Sequence, residues 1–327
     1  MYPDLVDHGG PGFSCIMKKF LLSFLFILVS WPALLAALPE DWAALHADVN
    51  FYMVNDMGRN GYFDQQPIAE IMGEMVDYVE PECIFAVGDV HHFWGVASVS
   101  DPLWMTNYEL IYKHPNLMMP WFPVLGNHEY RGNTQAVLDY ARVSRRWMMP
   151  SRYYTKILTS GEVSVRVVMI DTSPLIERYR KGVEKYPDAC KQSVEAQMEW
   201  LDAQLAEAAE DWVIVMGHHP IYAYTDKTDS ERADMQRLVA PILRNHRVDV
   251  YACGHIHNFQ HIRMPDSDID YIVNSAGALS REPEAVEGTR FCSGKTGFSV
   301  VSATKTSLDF HFVDAQGEVI YTVHREK

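Results

Sequence analysis

Val248-Asp249-Val250-Tyr251-Ala252-Cys253-Gly254-His255-Ile256-His257 is the stretch on which the reading of this chain turns. The run up to Cys253 is apolar, rich in valine and bounded by polar residues, and it predicts a buried strand. Gly254 frees the backbone to turn at its end. Residues two apart on extended chain point to one side, so His255 and His257 are expected to face the same space. Two imidazoles sharing a side at a strand terminus suit a metal ion. Two polar loop histidines would look the same, and the number of similar strand ends separates the two readings.

Several segments repeat the pattern. Residues 49–54 predict a first strand, ending in Asn55-Asp56-Met57-Gly58. A helix follows, with Ile68, Ile71, Met72, Met75, Val76 and Val79 on one face; Asp64 and Pro67 mark its start and Pro81 its end. Residues 84–87 form a second predicted strand, running into Gly88-Asp89-Val90-His91-His92. A helix-like stretch at 101–113 precedes a third strand at 121–125, which ends in Gly126-Asn127-His128-Glu129. A hairpin is expected over 153–170, turning at Ser160-Gly161, and a long polar loop over 174–192. An amphipathic helix carrying Val194, Met198, Leu201 and Leu205 leads to a strand at 212–216 that ends in Gly217-His218-His219-Pro220. A helix from about residue 230, kinked or restarted at Pro241, leads to the opening stretch. Beyond it the chain reads as short antiparallel strands at 271–274, 298–303, 308–313 and 319–323.

A βαβαβ start, an inserted hairpin and a β-rich finish predict an α/β, four-layer fold of two stacked mixed β-sheets flanked by helices. Neither a linker nor a repeat divides residues 39–327, so a single domain is expected there. In open α/β sheets ligands gather beyond the carboxyl ends of strands. Asp56, Asp89, His92, Asn127, His128, His218, His255 and His257 all stand there, each near a glycine. An aspartate at one strand end often only caps a helix, and a lone histidine is usually structural. Five such ends together point to metal.

Charge narrows the partners. The chain has 28 Lys and Arg against 43 Asp and Glu, a formal −15. Binding nucleic acid depends on neutralising phosphates with Lys and Arg, so it is not expected here. An anionic phosphate ester would need local positive charge, which metal ions supply. Met17-Lys18-Lys19, the apolar run 20–29 and the small residues up to Ala37 read as a signal peptide. The alternative is a membrane anchor, since the apolar stretch is almost long enough to span. Pro32 and the alanines favour cleavage, which leaves no stable anchor and an exported protein, periplasmic or secreted. Residues 1–16 sit oddly ahead of such a leader, and translation is expected to start at Met17. Of the cysteines beyond the leader, Cys83 and Cys253 lie in apolar strand contexts. Cys190 and Cys292 lie in loop-like stretches, so a disulfide between them stays open.

Gly88-Asp89, Gly126-Asn127-His128-Glu129, Gly217-His218 and Gly254-His255-x-His257 resemble the motif blocks of the calcineurin-like metallophosphoesterase superfamily. Asp56-Met57-Gly58, with no histidine two residues after the aspartate, resembles its small purple (tartrate-resistant) acid phosphatase branch. The resemblance implies two metal ions, Fe, Zn or Mn. Asp56 and His257 would hold one, Asn127, His218 and His255 the other, and Asp89 would bridge. It implies hydrolysis of phosphate monoesters by an in-line attack of metal-activated water, with His128 assisting the leaving group. The same core serves phosphodiesterases and nucleotidases, and a phosphate- or metal-binding protein that has lost activity is a further alternative. The branch has Tyr three residues after the bridging Asp, where its phenolate binds ferric iron and gives the purple colour. Here the position is His92, so a histidine ligand and a protein that is not purple are expected. His91 is expected to point away. The branch's further active-site histidine is replaced by Lys227, which with His219 is expected to contact substrate. The 174–192 segment lies where mammalian relatives carry a loop over the active site. Oligomeric state is not legible.

Overall fold

β1 (Val49–Val54) is buried at every position because strands cover both its edges and layers cover both its faces. In this computed structural model the described residues are 42–227, 229–274 and 276–327. The expected leader at 1–38, with its start at Met17, lies outside them. Among the described residues no helix is long and apolar enough to cross a membrane.

α1 (Gln65–Val79) follows β1 and buries Ile68, Met72, Met75 and Val79. It stops at Glu80, which takes a left-handed conformation one residue before Pro81. β2 (Ile84–Val87) and β3 (Trp121–Val124) pair in parallel beside β1. Between them the expected helix at 101–113 is reduced to turns around one π-helical turn, Met105–Glu109. Aromatic packing there outweighs helical period: Trp104 stacks on Tyr140 at 3.5 Å, and Tyr108 meets Trp121 and Trp147 edge-on.

α2 (Thr134–Asp139) leads to the hairpin of β4 (Tyr154–Ser160) and β5 (Val163–Ile170), as its turn residues predict. The 174–192 segment is not a bare loop. It contains α3 (Glu177–Lys181), whose Tyr179 is buried; flanking Pro174 and Gly182 conceal so short a helix from periodicity. α4 (Val194–Ala206) starts at Ser193, whose hydroxyl caps the Ala196 amide. Then come β6 (Trp212–Gly217), α5 (Asp229–Leu238), α6 (Ala240–Asn245), with Pro241 in its first turn, and β7 (Val250–Cys253).

The remaining strands are β8 (Phe259–Ile262), β9 (Asp270–Asn274), β10 (Thr289–Ser293), β11 (Gly297–Ala303), β12 (Ser307–Asp314) and β13 (Val319–Glu326). One sheet runs β13-β12-β11-β1-β2-β3, the other β10-β8-β9-β7-β6-β5-β4. Both are mixed, and helices flank them. The C-terminal region is not purely antiparallel, because β9 joins the second sheet parallel to β7. β8 and β10 are too short and too polar for the sequence to have marked them. Cys190 and Cys292 are both free thiols, in a turn and on the edge strand β10, so the disulfide left open is not formed.

The sheets are tied by polar contacts as well as by apolar packing. Asn274 of β9 donates to the Met53 carbonyl of β1 at 2.8 Å. Asp270 of β9 accepts from His261 of β8 at 2.9 Å and from Arg325 of β13, which lies in the other sheet. Burial works against the Asp270 carboxylate, but His261 and Arg325 outweigh it and hold it below the usual carboxylate range. A depressed folded pKa contributes stability above the unfolded value, and that contribution is lost as pH falls through the folded value. Asp270→Asn is therefore expected to lower unfolding free energy at pH 7 by about 2–3 kcal/mol. The gap to wild type should narrow below roughly pH 4, as urea titrations at pH 7 and pH 3 would read.

Candidate metal centre

The carboxyl ends of β1, β2, β3, β6 and β7 converge and deliver Asp56, Asp89, Asn127, His218 and His255 with His257 to one buried volume. The backbone is forced there. Asp56, Asp89, His255 and His257 take φ of 53°, 53°, 78° and 60°, in the left-handed region that L residues avoid. His255 and His257 thus reach the site through a tight left-handed turn, not through strand alternation. Glycines make the close approach possible. A β-carbon on Gly126 would lie 2.2 Å from Asp89 Oδ1, and one on Gly254 would lie 2.6 Å from Asp56 Oδ2.

Each carboxylate spends one oxygen on the backbone. Asp56 Oδ2 accepts from the His255 amide and Asp89 Oδ1 from the His128 amide, both at 2.8 Å. The other oxygen faces imidazoles. Asp89 Oδ2 lies 3.1 Å from His218 Nε2, 3.5 Å from His92 Nε2 and 3.8 Å from His128 Nε2. Asp56 Oδ1 lies 3.6 Å from His257 Nε2. Donor atoms of Asp56, His92 and His257 fall within 4.8 Å of one another, as do those of Asp56, Asp89 and His218.

The histidines are oriented from outside. His218 Nδ1 donates to the Val87 carbonyl at 2.9 Å and His257 Nδ1 to the Leu279 carbonyl at 3.1 Å. His255 Nε2 meets Glu231 Oε2 at 2.8 Å. A carbonyl or carboxylate can only accept, so each contact turns the ring's other nitrogen toward the cluster, where the neutral ring presents its lone pair. Asp56 Oδ1, Asn127 Oδ1, His92 Nε2 and His255 Nδ1 are buried with no hydrogen-bond partner. Orphaned acceptors in a dry interior are destabilising unless a cation takes their lone pairs. The donor set of two carboxylates, one amide oxygen and imidazoles therefore fits a pair of metal ions.

The electrostatics agree. Burial pushes Asp56 up to about 7, and the Asp89 charge adds to this while His218 opposes it. Burial works against Asp89 too, but His218, His128 and His92 outweigh it and hold that carboxyl well below its ordinary range. His218, despite its burial, is raised to about 9 by Asp89 and Asp56. A proton on His218 does what a cation between the carboxylates would do, and cation binding would release it.

His128 stands at the edge, with Nδ1 donating to the Phe93 carbonyl at 2.9 Å and Nε2 turned toward Asp89. Lys227 lines the same cavity and donates to the His255 carbonyl at 2.5 Å. His219, expected as a substrate contact, is instead sealed behind the cluster. Its Nδ1 bonds Thr172 at 2.7 Å and its Nε2 bonds Tyr179 at 3.2 Å, and one of its ring nitrogens lies within 4.8 Å of donor atoms of His218 and His255. His91 turns away and packs edge-on against Trp104 at 4.4 Å.

Other residues were not legible as parts of the site. Glu129 clamps two strand ends, accepting from the amides of Gly126 at 2.7 Å, Asp89 at 2.9 Å and His91 at 3.0 Å. Its only signal was its place directly after Asn127-His128. The cavity, about 370 Å³, is walled by six cationic side chains, Arg59, Arg131, Arg178, Lys185, Lys227 and Arg281, against Asp226 and Glu231. α3 contributes to the wall and to the cluster together: Tyr179 and Arg178 donate to Glu231 Oε1 at 2.6 and 2.9 Å, and Glu231 holds His255.

The family model for calcineurin-like phosphoesterases matches residues 49–259, which contain every strand end described above. The chain belongs to the calcineurin-like phosphoesterase family. Within that family it is similar to purple acid phosphatase 3 of Arabidopsis thaliana, 29% identical over 84% of this chain and 76% of that protein. It is also 29% identical to tartrate-resistant acid phosphatase type 5 of Sus scrofa, over 77% and 78% of the two chains. Among solved structures it superposes on GAP50, the anchor in the inner membrane complex of Plasmodium, with a TM-score of 0.73 and 25% identity over 85% and 88% of the chains. Family, fold and donor set together make the chain a metal-binding hydrolase of phosphoric esters.

Outer carboxylates that orient ligand histidines typically account for 10- to 100-fold in metal affinity. Glu231→Gln is expected to weaken metal retention by roughly that factor in competition with a chelator. It should also speed hydrogen exchange at Tyr179, since α3 loses its anchor.

Proposed function

We propose that this protein is an exported dinuclear metallophosphatase that hydrolyses phosphate monoesters in the manner of an acid phosphatase. The observation that carries the reading is the Asp89 carboxylate, whose free oxygen lies within 3.8 Å of three imidazole nitrogens contributed by separate strand ends. Asp56, His92 and His257 would hold one ion, Asn127, His218 and His255 the second, and Asp89 both; Fe, Zn and Mn suit these donors. Such a pair, when bound, neutralises phosphoryl charge and makes water nucleophilic near neutral pH.

The chain's own groups do the rest. Arg59, Lys227 and Arg281 face the cavity and hold the phosphate oxygens, a role for which guanidinium geometry is suited. In its imidazolium form His128 keeps Nδ1 on the Phe93 carbonyl and hands the Nε2 proton to the leaving oxygen. Burial, with Arg131 beside it, lowers this group to about 4, so the acid form belongs to acid pH. Tyr179 and Tyr186 of the 174–192 segment, both buried, form part of the cavity wall.

A second reading has one observation behind it, the likeness to a structure described as an anchor: a chain of this fold that binds metal or phosphate without turning esters over. Activity on monoester and diester aryl phosphates, before and after chelation, separates the readings. The expected outcome is monoesterase activity that chelator abolishes and metal restores. Phosphate binding without turnover of any ester between pH 4 and 9 would leave only the second reading, and preferential diester cleavage would indicate a phosphodiesterase.

His92 gives an independent check. Imidazole lacks the phenolate-to-ferric charge transfer that colours the purple branch. Wild-type protein loaded with iron is therefore expected to show no strong visible band, and His92→Tyr is expected to gain one. A strong band in wild type would remove His92 from the donor set.

A further inference from the structure

A second cavity adjoins the cationic one and differs from it in chemistry. It measures about 510 Å³, in the range of small-molecule sites, and its walls include Arg59, Tyr62, Phe63, His92, Phe93 and Leu279. Tyr62, Phe63 and Phe93 are 72%, 60% and 62% exposed. Trp94 beside them is 66% exposed. Aromatic surface gathered in one place and left in water marks a binding face, because covering it is favourable. Phe63 is also held at φ 56°, a conformation that bulky residues avoid and that clusters at ligand clamps.

Position decides what this face would bind. Arg59 and Phe93 line both cavities, and His92 belongs to the metal cluster and to the apolar wall. The Phe93 ring lies 5.9 Å from the ring of His128, and its carbonyl holds His128 Nδ1. The Arg59 guanidinium sits 5.0 Å over the Phe93 ring, at the seam between cationic and apolar walls. An in-line displacement sends the leaving group out opposite the incoming water. If His128 attends the leaving oxygen, the organic part of the ester begins beside Phe93, where the aromatic cavity opens.

We propose that this cavity is a leaving-group subsite, and that the preferred substrates are phosphate monoesters of aromatic alcohols. The proposal rests on the hydrolytic reading above and names its substrate class. Tyr62 and Phe63 are its outer wall and Phe93 its junction with the phosphate site.

Two measurements on the metal-replete full chain test it. Calorimetry compares benzylphosphonate with methylphosphonate, neither of which can be hydrolysed, and kinetics compares kcat/KM for benzyl phosphate with that for propyl phosphate, whose leaving alcohols are of similar acidity. Wild type is expected to favour the aromatic member of each pair by roughly 30-fold. Tyr62→Ala/Phe63→Ala, at exposed positions, should reduce that preference about tenfold with an unchanged unfolding midpoint. Leu279→Trp, which fills the cavity from another wall, should reduce it independently. Equal affinities in wild type, or a preference that survives both variants, overturns the subsite. Turnover of neither ester, with a phosphonate preference that the variants still abolish, upholds the subsite and removes the hydrolytic reading instead.

Discussion

Everything in this fold is subordinate to keeping Asp56 and Asp89 ionisable in a dry interior. Both side chains are essentially inaccessible to water, and each repels the other's charge. An isolated buried carboxylate would simply take up a proton. The protein opposes this by aiming a backbone amide at one oxygen of each and imidazoles at the other. That arrangement needs several strand ends within a few ångströms of one another, which only the parallel cores of two stacked sheets provide. It also needs left-handed backbone at four positions of the cluster and glycines beside them. The strain is local, and the buried apolar layers on either side hold it in place.

How much of this the sequence discloses depends on what each residue answers to. Strands such as 84–87 and 212–216 announce themselves because burial on both faces demands uninterrupted apolar residues, and the metal-ligand types at their ends follow directly. The short helix α3 does not, since it is stabilised by Tyr179 reaching Glu231 and His219 and not by any period of its own. β9 looked like another antiparallel strand, because strand direction is set by which neighbour it meets and not by composition. His219 misled for a related reason. Its adjacency to His218 suggested the pocket, yet successive side chains at a strand end point to opposite sides, and this one found Thr172. The cationic wall was hidden because its arginines are scattered from 59 to 281 and meet only in three dimensions.

That wall qualifies the charge argument. A formal −15 excludes a polyanion as a general partner, but it says nothing about one cavity. Six cationic groups set against two carboxylates form a local field of opposite sign to the rest of the surface. An anionic ester is repelled by most of the molecule and drawn to one mouth, which favours productive encounter.

The same balance bears on which ions the centre suits. Two carboxylates with neutral imidazoles and an amide bring two negative charges to two cations. A phenolate at position 92 would bring a third and make room for a trivalent ion. With His92 there instead, a ferric ion would leave the centre more positive, beside a wall already crowded with arginine and lysine. Burial has lowered the pKa of Arg59 below its ordinary value, and the Asp56 and Asp89 charges oppose that shift. Additional positive charge at the centre would cancel that support. Divalent ions would keep the donors, the metals and the arginines nearer to neutrality, so a histidine at position 92 and a guanidinium-rich wall pull in the same electrostatic direction.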